Sequence, residues 1–233
     1  MTVFLPMIIN AAQHAGAGLS SSPGEIYEDP YANGIEDLLP GNMSTSELFS
    51  SNKLPSMHLF AAESHPQTPG HEKFFGDGNL IRTSYRNGYL ADMQANPCGL
   101  DAGAPLACTP SHRLRKVAIK NDLRAYRPST QVMPCAGNGD PVVPYWNTSA
   151  QAAYWHAVGA SGLTELDLDR SPKYSDPYRD QKLEFKAAKA AVRYAASERG
   201  ESPDEAVAAT DHAGLVAPFC MRSARQFFRN AMR

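Results

Sequence analysis

The chain has 233 residues, 42% of them apolar, with 22 basic against 24 acidic side chains and a formal net charge of -2. That suffices for one large or two modest domains around a hydrophobic core. The near balance of charge gives no electrostatic basis for binding nucleic acid or an anionic membrane surface, and no apolar run approaches the roughly 20 residues that span a bilayer.

The amino-terminal stretch Met1 to Asn10 is apolar, but it has no basic leader and Pro6 interrupts it, so it does not read as a signal peptide. Phe4 to Gln13 suits a helix entered at Pro6. Tyr27 to Leu39 is turn-rich, carrying Asp29-Pro-Tyr31 and Asn33-Gly34. Ser44-Thr-Ser-Glu47 has the spacing of a capping box, which would turn Leu48 and Phe49 inward on a short helix. The most periodic piece is Leu80 to Asn96, where Ile81, Tyr85, Tyr89 and Met93 recur every four residues and Pro97 stops the helix. No segment here joins a strong buried strand to an amphipathic helix. Short helices with long loops are the composition of a lid, and residues 1–110 are expected to form a mostly helical cap.

His58, His65 and His71 fall within a polar loop, but proline and glycine between them leave no shared helical face, and no acid or cysteine completes a ligand set. They read as solvated loop histidines; neither a metal nor a cofactor is expected. Of the four cysteines, Cys98 and Cys108 flank a Gly/Pro loop that a disulfide could staple. Reduced, buried thiols at these and at Cys135 and Cys220 are an equally good reading.

From Ser111 the character changes. Ser111 can cap a helix with Leu114, Val117 and Ala118 on one side and Arg113, Arg115, Lys116 and Lys120 on its solvated side. Gln131 to Cys135 reads as a buried strand, Gly137-Asn-Gly139 as a tight turn, and Asn147-Thr148 as the cap of a helix reaching Val158. Leu163 to Leu168 alternates as a strand with one apolar face. Asp180 to Ser197 is an alanine-rich helix, and a loop carrying His212 leads into a last helix from about Ala217 to Met232. Strands alternating with helices imply parallel pairing and an α/β fold. Only two strands are visible, too few for a stable parallel sheet with both edges open, so an exposed strand edge and self-association are expected.

Asp140 follows the first strand, where open α/β sheets place their chemistry. His212 precedes the last helix. In an ester-cleaving triad the histidine takes the nucleophile's proton while the acid accepts the other ring N–H. Each residue also has a plainer reading, Asp140 as a turn cap and His212 as a hydrogen-bonded loop residue. The order acid then histidine, each at such a position, favours the pair.

Asn121-Asp-Leu-Arg124, Cys135-Ala-Gly-Asn-Gly-Asp140-Pro-Val-Val-Pro-Tyr145-Trp-Asn-Thr148, Leu166-Asp-Leu-Asp169 and His212-Ala-Gly-Leu-Val-Ala-Pro-Phe-Cys220 together resemble bacterial secreted-type lipases and esterases of the α/β-hydrolase superfamily. Pro30 to Glu36 and Leu80 to Tyr89 resemble the helical cap that those enzymes insert in the core. The resemblance implies that residues 111–233 are the C-terminal part of an α/β-hydrolase core, with Asp140 as triad acid and His212 as triad base. It implies a small-molecule or lipid ester as substrate, with Phe4, Phe49, Tyr85 and Tyr89 as candidate pocket-lining residues of the cap, although apolar residues at helical spacing are more often cap core than ligand wall. It also suggests a secreted or periplasmic protein.

The family's nucleophile elbow, Gly-x-Ser-x-Gly, does not occur in the chain. Gly18-Leu-Ser20 lacks the second glycine, and Gly159-Ala-Ser161-Gly162 has the wrong spacing. The resemblance places the serine and the oxyanion loop ahead of the cap, so this chain is expected to be the carboxyl-terminal part of a longer hydrolase and inactive alone. The alternative is a non-catalytic ligand-binding or interaction remnant; a third reading, a peptidase of the same superfamily, shares the acid and histidine and would usually call for a charged anchor, which nothing in the sequence isolates.

Overall fold

The structure, a computed structural model, describes residues 2–98, 104, 107–123 and 126–232. Arg124 of the Asn121–Arg124 motif lies outside them. The described residues of 1–99 and 106–122 form one compact unit, and those of 100–105 and 123–233 form a second.

The first unit is helical: α1 Phe4–His14, α2 Asp29–Ala32, α3 Ile35–Leu38, α4 Thr45–Ser50, α5 Thr83–Ala95 and α6 Arg113–Lys120. Its core gathers Ile9, Ile26, Tyr27, Ile35, Leu48, Leu54 and Leu80. The capping box starts α4 as its spacing predicts: the Ser44 hydroxyl accepts the Glu47 N–H, and the Glu47 carboxylate accepts the Ser44 N–H at 2.7 Å. Buried Asn10 ties helices to loops by donating to the Ile35 carbonyl at 2.8 Å and accepting from the Tyr27 hydroxyl at 3.3 Å.

Helix α6 departs from the sequence expectation in two respects. Ser111 does not cap it; His112 occupies that position, and the Ser111 N–H goes instead to Asp92 Oδ1 at 2.8 Å. Arg115 is not solvated, because its guanidinium meets Asp92 Oδ2 at 2.7 Å with both side chains 7% exposed. The helix follows the residue-110 boundary in sequence, yet its Leu114 and Val117 pack on the first unit's core. Cys98 and Cys108 are disulfide-bonded.

The second unit contains β1 Cys135–Ala136, α7 Trp146–Ala157, β2 Leu166–Asp167, α8 Arg179–Glu198, α9 Pro203–Thr210 and α10 Ala217–Ala231. β1 and β2 pair in parallel with Cys135 opposite Leu166 and Ala136 opposite Asp167. A bridge between Val132 and Leu163 extends the pairing, with the Thr164 N–H donating to the Val132 carbonyl at 3.0 Å. Leu166 and Leu168 pack with Phe185 of α8 and with Leu215 and Val216. Asp167, on the face expected to be polar, is buried as well, because its carboxylate accepts the Asn138 and Asp169 N–H groups at 3.3 and 3.0 Å.

Two further expectations are corrected. The segment holding His212 is not a loop: the chain stays helical from α9 through a π-helical turn, Asp211–Val216, into α10. Pro218, near the start of α10, has no N–H to give to the helical ladder, and the turn before it widens to i to i+5 pairing. The cysteines are not reduced; Cys135 at the start of β1 is bonded to Cys220 on α10, 85 residues away, across a Cα separation of 5.7 Å.

Candidate active site

β1 delivers the chain to the turn Gly137–Gly139, and the Asp140 N–H closes it by donating to the Gly137 carbonyl at 3.1 Å. Asp140 is almost fully enclosed, its side chain 2% exposed. One carboxylate oxygen, Oδ1, accepts the Val142 and Val143 N–H groups at 2.8 and 3.1 Å. The other, Oδ2, lies 2.7 Å from Nδ1 of His212. Burial pushes the Asp140 carboxyl up, but the His212 bond and the two N–H groups outweigh it and hold the group below the usual carboxylate range. Asp140 therefore stays ionised.

His212 sits in the π-helical turn with its side chain 42% exposed. Because an ionised carboxylate only accepts hydrogen bonds, the neutral ring must carry its proton on Nδ1. That leaves the Nε2 lone pair available, and among the described residues Nε2 has no hydrogen-bond partner. An acid-fixed imidazole with one accessible basic nitrogen can take a proton from a hydroxyl or a water and return it to a leaving group. The pair joins the two residues that the chain order singled out.

In the first unit a cavity of about 470 Å³ is lined by Ile9, Ile81, Tyr85, Tyr89, Met93 and Leu114 among others, with Arg86 on its wall. Such a volume suits a small apolar ligand. Tyr85 and Tyr89 thus share one cavity, whereas Phe4 is 51% exposed and Phe49 packs on the core; neither lines it. The Tyr85 hydroxyl is buried without a partner, and burial pushes it up to about 12, so it remains a donor at neutral pH. The Arg86 guanidinium stacks 4.9 Å from the Phe60 ring centroid and donates to the Ser64 hydroxyl at 2.8 Å.

Among the described residues no group of three or more histidine, cysteine or acidic side chains is arranged to hold a metal; His58 Nδ1 is engaged by the Asp77 carbonyl at 2.7 Å. No described helix is long and apolar enough to cross a membrane. Sequence reasoning missed Lys189 with Asp169 and Asp211, charged groups packed directly behind the pair. Asp211, directly before His212, was the one available signal.

No family model matches the chain, and no curated protein matches it. Solved structures do. The rice cell wall degrading esterase LipA from Xanthomonas oryzae matches at 19% identity and a TM-score of 0.52, over 79% of this chain and 39% of that one. A ligand-bound form of the same esterase gives the same values, and a glycine-to-phenylalanine mutant of it matches over 84% and 42%. The likeness is one of fold, to an esterase, and this chain spans about two fifths of the length of those structures.

Proposed function

We propose that Asp140 and His212 are the acid and base of a carboxylic-ester hydrolase of lipase or esterase type, working with a serine hydroxyl and oxyanion-stabilising N–H groups supplied from outside these 233 residues. The observation that carries the reading is the 2.7 Å bond between His212 Nδ1 and Asp140 Oδ2, with Nε2 left open. The fold likeness to an esterase supports it. In that scheme Asp140 holds the Nδ1 proton, and Nε2 accepts the serine proton as the oxygen attacks the ester carbonyl. The resulting imidazolium, stabilised by the carboxylate, passes the proton to the departing alcohol, and the same nitrogen then activates water to release the acid.

Without a serine in a nucleophile elbow, the 233 residues alone are expected to hydrolyse esters at no useful rate, since removing a triad serine alone costs about six powers of ten in rate. The test compares the isolated chain with the protein drawn from its native cells through an antibody to α10, using a short acyl ester. Hydrolysis in the native material, lost on His212→Ala and labelled by a fluorophosphonate at a serine, supports the reading. Hydrolysis that survives both Asp140→Asn and His212→Ala overturns it.

The cavity, with its unpartnered Tyr85 hydroxyl, favours one second reading: a non-catalytic protein that binds an apolar ligand. That reading requires a ligand affinity indifferent to Asp140→Asn and His212→Ala, and a native protein without esterase activity.

A further inference from the structure

The residue immediately before each member of the pair is tied to one lysine. Lys189 on α8 places Nζ 2.7 Å from Asp169 Oδ1 and 2.9 Å from Asp211 Oδ2. Asp211 directly precedes His212. The second oxygen of Asp169 accepts the N–H of Gly139, which directly precedes Asp140, at 2.8 Å. A single ammonium thus links the turn carrying the acid to the helical turn carrying the base.

The local sequence is shaped for this approach. A Cβ on Gly139 would stand 3.2 Å from Lys189 Nζ, and one on Gly137 would stand 2.9 Å from Val216 Cγ2 and 3.0 Å from Asp169 Oδ2. The glycines of the turn let the backbone lie against the charged cluster. Asp211 is fully buried, and neither of its carboxylate oxygens has a well-directed hydrogen bond, so Lys189 meets Oδ2 at 2.9 Å as an ion pair. Burial pushes its carboxyl up, and Lys189 offsets only part of that.

Packing does not require these charges. α8 already packs on the second unit's core through Phe185, Ala188 and Val192, and apolar residues of similar volume commonly hold such a contact as well as a buried ion pair does. What an apolar set cannot do is fix two backbone segments at defined hydrogen-bonding distances.

We infer that Lys189 is the positioning residue of the pair, holding Asp140 through Asp169 and Gly139 and holding His212 through Asp211. It touches no substrate and acts only through its two acids. The inference rests on the reading of Asp140 and His212 as acid and base, but its test reads the pair's geometry and not turnover.

The variant to make is Lys189→Met combined with Asp211→Asn, in the full chain. It removes one positive and one negative charge, so the net charge near the pair is unchanged and only the more exposed Asp169 carboxylate loses its lysine. Proton and nitrogen-15 NMR of His212 at pH 8 then report the Nδ1–H···Asp140 bond through its low-field proton and the ring tautomer. The expected result is melting within a few degrees of the parent chain, loss of the low-field proton, and a mixture of Nδ1–H and Nε2–H tautomers. A parent-like proton signal and tautomer in the folded double variant overturn the inference. Asp169→Asn, at a more exposed carboxylate, cuts the other arm and is expected to give the same loss; retention there also overturns it. If the native protein proves to hydrolyse no ester, the functional reading fails while these spectra still decide the role of Lys189.

Discussion

Asp140 Oδ2 and His212 Nδ1 lie 2.7 Å apart although 72 residues separate them in the chain. The other Asp140 oxygen is held by the Val142 and Val143 N–H groups, so the carboxylate cannot rotate away without losing two bonds. Asp140→Asn is therefore expected to keep the fold but to release the ring, since an amide can offer the histidine a donor where a carboxylate offers only an acceptor. Nitrogen-15 NMR should show the Nε2–H tautomer rising at the expense of Nδ1–H. In a preparation that turns over ester, the rate should fall roughly 10⁴-fold, the size of effect known for a mis-set tautomer.

The two disulfides should differ in worth. Cys135–Cys220 closes a segment of 85 residues and Cys98–Cys108 one of 10. Constraint of the unfolded chain grows with loop length, so removing the first should cost about 4–5 kcal/mol and removing the second under about 3 kcal/mol. Urea unfolding of the two paired Cys→Ala variants checks the order; equal losses would contradict it.

Acid should destabilise the protein in a defined window. Asp92 is held well below the usual carboxylate range: burial opposes this, and the Ser111 and His112 N–H groups, Arg115 and Asn96 overcome it. Asp140 is lowered too. For both, the stability contribution is present above the unfolded value of about 4 and is lost as pH falls through the folded value. Asp211 has the opposite sign, because its folded pKa is raised and protonation favours the folded form. Urea midpoints should fall as pH drops below about 4. Asp92→Asn should flatten the fall, and Asp211→Asn should make it steeper.

The cavity hydroxyl gives a test of binding against stability. Tyr85 packs its ring 5.0 Å from His112, a contact that phenylalanine retains, while its buried oxygen has no partner. Tyr85→Phe is expected to melt at the parent temperature or above it, because an unsatisfied buried polar group costs about 1–3 kcal/mol. Calorimetric binding of a short alkyl ester analogue should weaken in the same variant. A large drop in melting temperature would mean that the hydroxyl has a structural partner.

Features set by short-range chemistry could be read without coordinates. The period of four in Leu80 to Asn96 became α5, and the Ser44 and Glu47 spacing became a capped α4. Alternation near Leu163 to Leu168 became a parallel strand, although a short one. The residue types at Asp140 and His212, and their order, pointed to an acid and a base, because the turn glycines ahead of Asp140 depend on a few neighbouring residues.

What the chain by itself determined was thus its helical and strand periods, its turns, and which side chains could do acid–base chemistry. Tertiary structure alone decided that Arg115 is buried against Asp92, that Cys135 bonds Cys220, and that Lys189 stands between Asp169 and Asp211. It also left Phe4 exposed. The reason is physical: periodicity and turn preference act over a few residues, whereas the partners of a buried charge or a thiol come from segments dozens of residues away. Only packing brings those segments within bonding distance.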